Sequence, residues 1–154
     1  MAKKINIKYT YDNPEWKLEK IKIGDWLDLR AAEDVFIPLG EVRKISLGVA
    51  MQLPKGYEAH VLPRSSTFDK WGIMLTNSMG IIDNSYCGDN DIWSFQAISM
   101  RPAHTVNGRV GSMIKAGDRI CQFRIVKNQP KLRFIEYLVF LCKDRGGYGS
   151  TGTN

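Results

Sequence analysis

The sequence predicts an all-β fold of the sandwich, jelly-roll or barrel kind. Short apolar or alternating runs recur along its 154 residues, and turn signals separate them. Only residues 65–71 read as helix, and they amount to a short turn. Many short strands with so little helix point to two packed sheets or one closed sheet.

Residues 4–11 place Ile5, Ile7 and Tyr9 at every second position, the period of a half-buried strand. In residues 26–31, Leu27, Leu29 and Ala31 alternate with Asp28 and Arg30 in the same way. Residues 41–51 follow the turn Pro38-Leu39-Gly40, and residues 59–62 follow Pro54-Lys55-Gly56. The β-branched pair Ile81-Ile82 runs into a turn-rich Asp83-Asn84-Ser85. Residues 92–100, 120–126 and 132–142 complete the series of strands. Residues 101–112, which contain Asn107-Gly108, are polar and predict a variable surface loop. There are no internal repeats and no low-complexity linker. The chain reads as one β domain, residues 1–142, followed by a flexible glycine-rich arm, residues 143–154.

Composition narrows the class. Lysine and arginine exceed aspartate and glutamate by 22 to 16, a net charge of +6. Such an excess suits nucleic acid or a small polyanion such as a nucleotide triphosphate. The basic residues are dispersed, no run being longer than a pair such as Lys3-Lys4, and no aromatic platform interleaves them. Direct nucleic-acid binding is therefore not expected. No apolar stretch approaches a membrane span and no leader is visible, so no membrane partner is expected. The cysteines, Cys87, Cys121 and Cys142, are too scattered for a disulfide framework, and no pair has metal-ligand spacing with His60 or His104. A reducing cytoplasm fits best.

Two constellations carry chemistry. The tail reads Arg145-Gly146-Gly147-Tyr148-Gly149-Ser150-Thr151-Gly152. Arginine forks onto phosphate oxygens, glycines let backbone N–H groups close around an anion, and Ser150 and Thr151 add hydroxyl donors. Tyr148 offers a flat face to a base. In mid-chain, Pro63-Arg64-Ser65-Ser66 again joins an arginine to small hydroxyls, and Asn77-Ser78-Met79-Gly80-Ile81-Ile82-Asp83-Asn84-Ser85-Tyr86-Cys87-Gly88-Asp89 reads as strand, tight turn, strand. Taken alone, Asp83 fits an ordinary turn aspartate, hydrogen-bonded to its own backbone, better than a functional carboxylate.

The order and content of these pieces resemble the homotrimeric dUTP pyrophosphatases, the dUTPases. All five short motifs of that family can be placed: Leu27 to Ala32, Pro63 to Ser66, Asn77 to Asp89, Gly117-Asp118-Arg119-Ile120-Cys121-Gln122, and the tail from Arg145 to Gly152. Motifs two, three and five together are highly specific. Asp89-Asn90-Asp91-Ile92-Trp93 and the long segment at residues 101–112 resemble the phage-encoded branch. The chain departs from the usual pattern at Trp26, where the family is small, at Asp89, where Glu is common, and at Tyr148, where Phe is common.

The resemblance implies a distorted β-barrel or jelly-roll-like sandwich assembled as a homotrimer, with three sites at subunit interfaces. It implies hydrolysis of dUTP to dUMP and pyrophosphate by water attack at the α-phosphorus, with Mg²⁺ carried mainly by the phosphates and Asp28 reaching it through water. Asp83 would orient and deprotonate that water and hold the 3′-hydroxyl. Tyr86 would pack under the deoxyribose and reject a 2′-hydroxyl. Asn77 and Gly80 belong to the uracil pocket. Ser65 would stabilise the leaving pyrophosphate, with Arg64 and Ser66 beside it. Gln122 reads equally as a contact to the α-phosphate or as a satisfied cross-strand glutamine. Arg145, Gly149, Ser150 and Thr151 would grip the outer phosphates while Tyr148 stacks on uracil as the arm closes.

Two alternatives compete. A dCTP deaminase on the same fold needs a glutamate on the strand after the third motif, and residues 92–100 contain none. A nucleotide-gated regulatory binding protein would use residues 101–112 to dock a protein partner.

Overall fold

The computed structural model describes residues 4–20 and 22–147. Strand β1 (Lys8–Tyr11) lies antiparallel to β5 (Val49–Gln52). Strands β2 (Leu27–Arg30), β12 (Arg119–Lys127), β6 (Tyr57–Pro63) and β8 (Gly80–Ile82) form an antiparallel sheet in that order. A third sheet orders β10 (His104–Val106), β11 (Arg109–Ile114) and β3 (Val35–Pro38). A fourth orders β4 (Val42–Ser46), β9 (Ser94–Ser99) and β7 (Ile73–Leu75). The fold is all-β and sandwich-like, as expected. Among the described residues the strands make separate small sheets rather than one closed barrel.

Alternation sets what is buried. On β2, Leu29 faces inward between half-exposed Asp28 and Arg30. Ile37, Ile45, Val61, Phe95 and Ile120 join it in one continuous core. Trp93 meets Phe123 edge to face, with ring centroids 5.4 Å apart. The helix expected near residues 65–71 is present as α1 (Thr67–Trp71), ended by Gly72 in the left-handed region at φ 65°.

Three expectations are corrected. The run 41–51 is two strands, β4 and β5, broken where Gly48 takes φ 61°. A Cβ there would lie 2.9 Å from the Trp16 ring, so the close approach requires glycine. The polar segment 101–112 contains a hairpin, β10 to β11, turned by Asn107 and Gly108 at φ 49° and 76°. Two positive φ values match the twist of the flanking strands. Residues 132–142 form no strand, and Phe134, Leu138 and Leu141 are 90%, 98% and 98% exposed. Among the described residues their apolar pattern meets no strand edge.

Among the described residues no helix is long and apolar enough to cross a membrane.

Candidate active site

The sheet β2-β12-β6-β8 carries the candidate site residues at its two ends. At one end, β8 leads into the turn 83–86, and a cavity of about 400 Å³ opens among Val61, Asn77, Gly80, Asp83, Tyr86 and Trp93. Gly80 sits against β6, where a Cβ would come 3.3 Å from the Val61 Cβ. Asp83 is exposed, and its Oδ1 accepts from Ser85 Oγ at 2.5 Å and from the Ser85 N–H at 2.7 Å. The Ser85 hydroxyl first, and then its N–H, hold the Asp83 carboxyl below the usual aspartate range; desolvation opposes them more weakly, and the Tyr86 N–H adds the smallest lowering effect. The Tyr86 hydroxyl donates to the Ile92 carbonyl at 3.4 Å, which ties the ring to the wall of the cavity. The structure thus brings Asn77, Gly80, Asp83 and Tyr86 together.

At the other end, β6 runs out at Pro63 and turns into Arg64, Ser65 and Ser66. Asp28 on β2, Gln122 on β12 and Leu62 on β6 stand directly opposite one another, so their side chains share a face. Arg64 Nε lies 2.8 Å from Asp28 Oδ1, and Arg119 Nη1 lies 3.2 Å from Asp28 Oδ2. Gln122 Nε2 donates to the Pro63 carbonyl at 3.2 Å, a cross-strand contact that uses one of its two amide N–H donors and leaves the other for a further acceptor. Ser65 is exposed, and Ser66 caps α1 by position without a side-chain capping bond.

Thr67 fixes this turn. It is fully buried; its Oγ1 accepts from the Arg64 N–H at 2.8 Å and donates to the Ile120 carbonyl at 2.8 Å. Sequence reasoning missed Thr67, Ser85 and Arg119. Only the spacing of a hydroxyl or amide to a turn partner two or three residues away hinted at the first two.

The two ends do not meet within one protomer. Because β8 runs antiparallel to β6 with Ile82 opposite Ala59, Asp83 lies level with Glu58, at the end of β6 remote from Pro63. At about 3.3 Å per residue, the five steps from Glu58 to Pro63 separate the halves by roughly 16 Å. Beside Arg64 lies a hollow of about 520 Å³ lined by Pro63, Phe68, Ile73, Met74 and Leu75. Arg145 is exposed on irregular chain, and Tyr148, Gly149, Ser150 and Thr151 lie outside the described residues. Among the described residues no group of three histidine, cysteine or acidic side chains could hold a metal ion directly.

The dUTPase family model matches residues 26–152, most of the chain and every motif described above. The chain belongs to the dUTPase family. It is 53% identical over 149 residues to the SPbeta prophage-derived deoxyuridine 5′-triphosphate nucleotidohydrolase YosS of Bacillus subtilis, covering 97% of this chain and 98% of that one. The deoxyuridine 5′-triphosphate nucleotidohydrolase of Maricaulis maris is 37% identical over 132 residues, covering 82% and 80% of the two chains. Among solved structures, the dUTPase of Streptococcus mutans superposes with a TM-score of 0.71 at 21% identity, covering 84% of this chain and all of the other. The Staphylococcus bacteriophage 80alpha dUTPase with dUpNHpp gives 0.71 at 21% identity, covering 96% and 99%. The dUTPase from phage phi11 of S. aureus, described with a structural Mg(II) ion, gives 0.70 at 19% identity, covering 88% and 100%. These dUTPases share the fold of this chain.

Proposed function

We propose that this protein is a dUTP pyrophosphatase that converts dUTP and water to dUMP and pyrophosphate, limiting uracil incorporation into DNA and supplying dUMP. The observation that carries the reading is the third-motif cavity, with Asn77, Asp83 and Tyr86 around a nucleoside-sized space of about 400 Å³. A water held by Asp83 attacks the α-phosphorus in line, and its proton passes to the carboxylate. The bond from the α-phosphorus to the bridging oxygen breaks, and pyrophosphate leaves with the electron pair. Asp83 also holds the 3′-hydroxyl. The Tyr86 ring lies under the deoxyribose and leaves no room for a 2′-hydroxyl. Backbone groups near Asn77 and Gly80 read the uracil edge.

Ser65 donates to the leaving pyrophosphate, with Arg64 and Ser66 beside it and Gln122 at the α-phosphate. A Mg²⁺ ion carried by the triphosphate would neutralise part of its charge. Each Asp28 oxygen holds one guanidinium contact and keeps lone-pair capacity for a water on that ion. Arg145, Tyr148, Gly149, Ser150 and Thr151 belong to the arm, residues 143–154, which closes over the nucleotide.

The active form is a homotrimer in which one protomer's Ser65 end faces another's Asp83 end. Two observations favour this assembly. The halves lie at opposite ends of one sheet, and residues 132–141 expose a run of large apolar side chains that a neighbour would cover. The three cysteines are free, in keeping with the cytoplasm, that of the host cell for a phage-encoded enzyme.

Incubation with Mg²⁺ and dUTP, dCTP, dTTP or UTP, following pyrophosphate and nucleotide products, tests the reading. Pyrophosphate from dUTP alone, lost in Asp83→Asn, is the expected result. Deamination of dCTP, or no turnover by folded protein, would overturn it.

A further inference from the structure

We propose that Ser85 is a positioning residue for the catalytic carboxylate: it ties down one oxygen of Asp83 and thereby presents the other to the attacking water. The proposal rests on the reading of Asp83 as the group that orients that water. Asp83 stands exposed on a turn at the edge of the cavity. The terminal torsion of an aspartate is broad and roughly two-fold, so an unrestrained carboxylate samples many directions and exchanges its two oxygens.

Ser85 removes that freedom. Its N–H and its hydroxyl both end on Oδ1, at 2.7 and 2.5 Å, and neither bond engages Oδ2. Any residue but proline at this position could supply the N–H; the hydroxyl is what serine adds. The Tyr86 N–H donates to the Asp83 carbonyl at 3.4 Å, so the same turn sets the ring and the carboxylate on one cavity. Hydrogen bonds to a carboxylate lower its basicity, which opposes proton abstraction. The gain from Ser85 is therefore orientation of the water, an effect that weakens steeply when the geometry drifts.

The test compares wild type, Ser85→Ala and Ser85→Thr by steady-state dUTP hydrolysis, by affinity for a non-hydrolysable dUTP analogue, and by titration of the ¹³C-labelled Asp83 carboxyl, assigned with Asp83→Asn. Ser85→Ala should lower kcat by about 10-fold, with analogue affinity changed less than about 2-fold. Its Asp83 midpoint should rise toward the ordinary aspartate value, and Ser85→Thr should restore both properties. An alanine variant with unchanged kcat, or with an unmoved midpoint, would overturn the proposal. Wild type that fails to turn over dUTP would overturn it too, through the reading beneath it. That failure is recognisable because the Asp83 midpoint would still respond to Ser85.

Discussion

Arg64 Nε sits 2.8 Å from Asp28 Oδ1, joining the turn after β6 to the middle of β2 across the intervening strand β12. Arg119 approaches the other oxygen of the same carboxylate, and its carbonyl accepts from Arg64 Nη1 at 3.2 Å. The guanidinium expected to serve phosphate is thus held in place by the first-motif aspartate. Asp28→Ala should free Arg64 and lower kcat/KM for dUTP by about 10- to 100-fold. Because the pair is only partly shielded, the loss of stability should be about 1–2 kcal/mol. Steady-state kinetics and urea unfolding check the two figures separately.

Thr67 is a second support for the same turn. Thr67→Val keeps the volume but strips two buried partners, the Arg64 N–H and the Ile120 carbonyl, of their hydroxyl. A loss of about 1–3 kcal/mol in unfolding free energy follows, together with reduced turnover. Thr67→Ser should recover most of both.

Tyr86 should govern the choice of sugar. Tyr86→Ala opens space where a 2′-hydroxyl would sit, so kcat/KM for UTP relative to dUTP should rise by about 10- to 200-fold. Tyr86→Phe retains the ring and loses only the bond to the Ile92 carbonyl, so it should keep discrimination near that of wild type. Parallel kinetics on the two nucleotides report the ratio.

The pH dependence has a definite sign. Asp83 is held below the usual aspartate pKa of about 3.9, first by the Ser85 hydroxyl, so its carboxylate stays ionised as pH falls through that value. Activity that depends on Asp83 is present above this range and is lost only below it. A profile of kcat/KM from pH 5 to pH 8 should contain no inflection that Ser85→Ala displaces.

Much of this architecture is legible in the residues. Leu27, Leu29 and Ala31 announce β2, and the third-motif turn marks Asp83 because functional carboxylates favour strand ends. The hairpin at residues 101–112 was hidden by polarity. His104 and Thr105 lie on an exposed edge strand whose composition matches a loop, and only Asn107-Gly108 signals the turn. Residues 132–142 failed for the opposite reason: their apolar pattern is real, but a strand needs a neighbour that one protomer does not offer. Arg119 and Thr67 escaped notice because their partners, Asp28 and Ile120, are set by strand register. The separation of Ser65 from Asp83 depends on the antiparallel direction of β8, which no motif records.

Complementation between two inactive variants tests the shared site most directly. Asp83→Asn and Ser65→Ala protomers, each inactive alone, are mixed under conditions that exchange subunits, and native mass spectrometry verifies mixed trimers. A site that takes Ser65 from one protomer and Asp83 from the next regains both groups in about a quarter of random pairings in a closed three-fold ring. The account predicts dUTP hydrolysis recovering to about that fraction of wild type. Mixed trimers that stay as inactive as either parent would contradict it, placing both groups of each site on a single protomer.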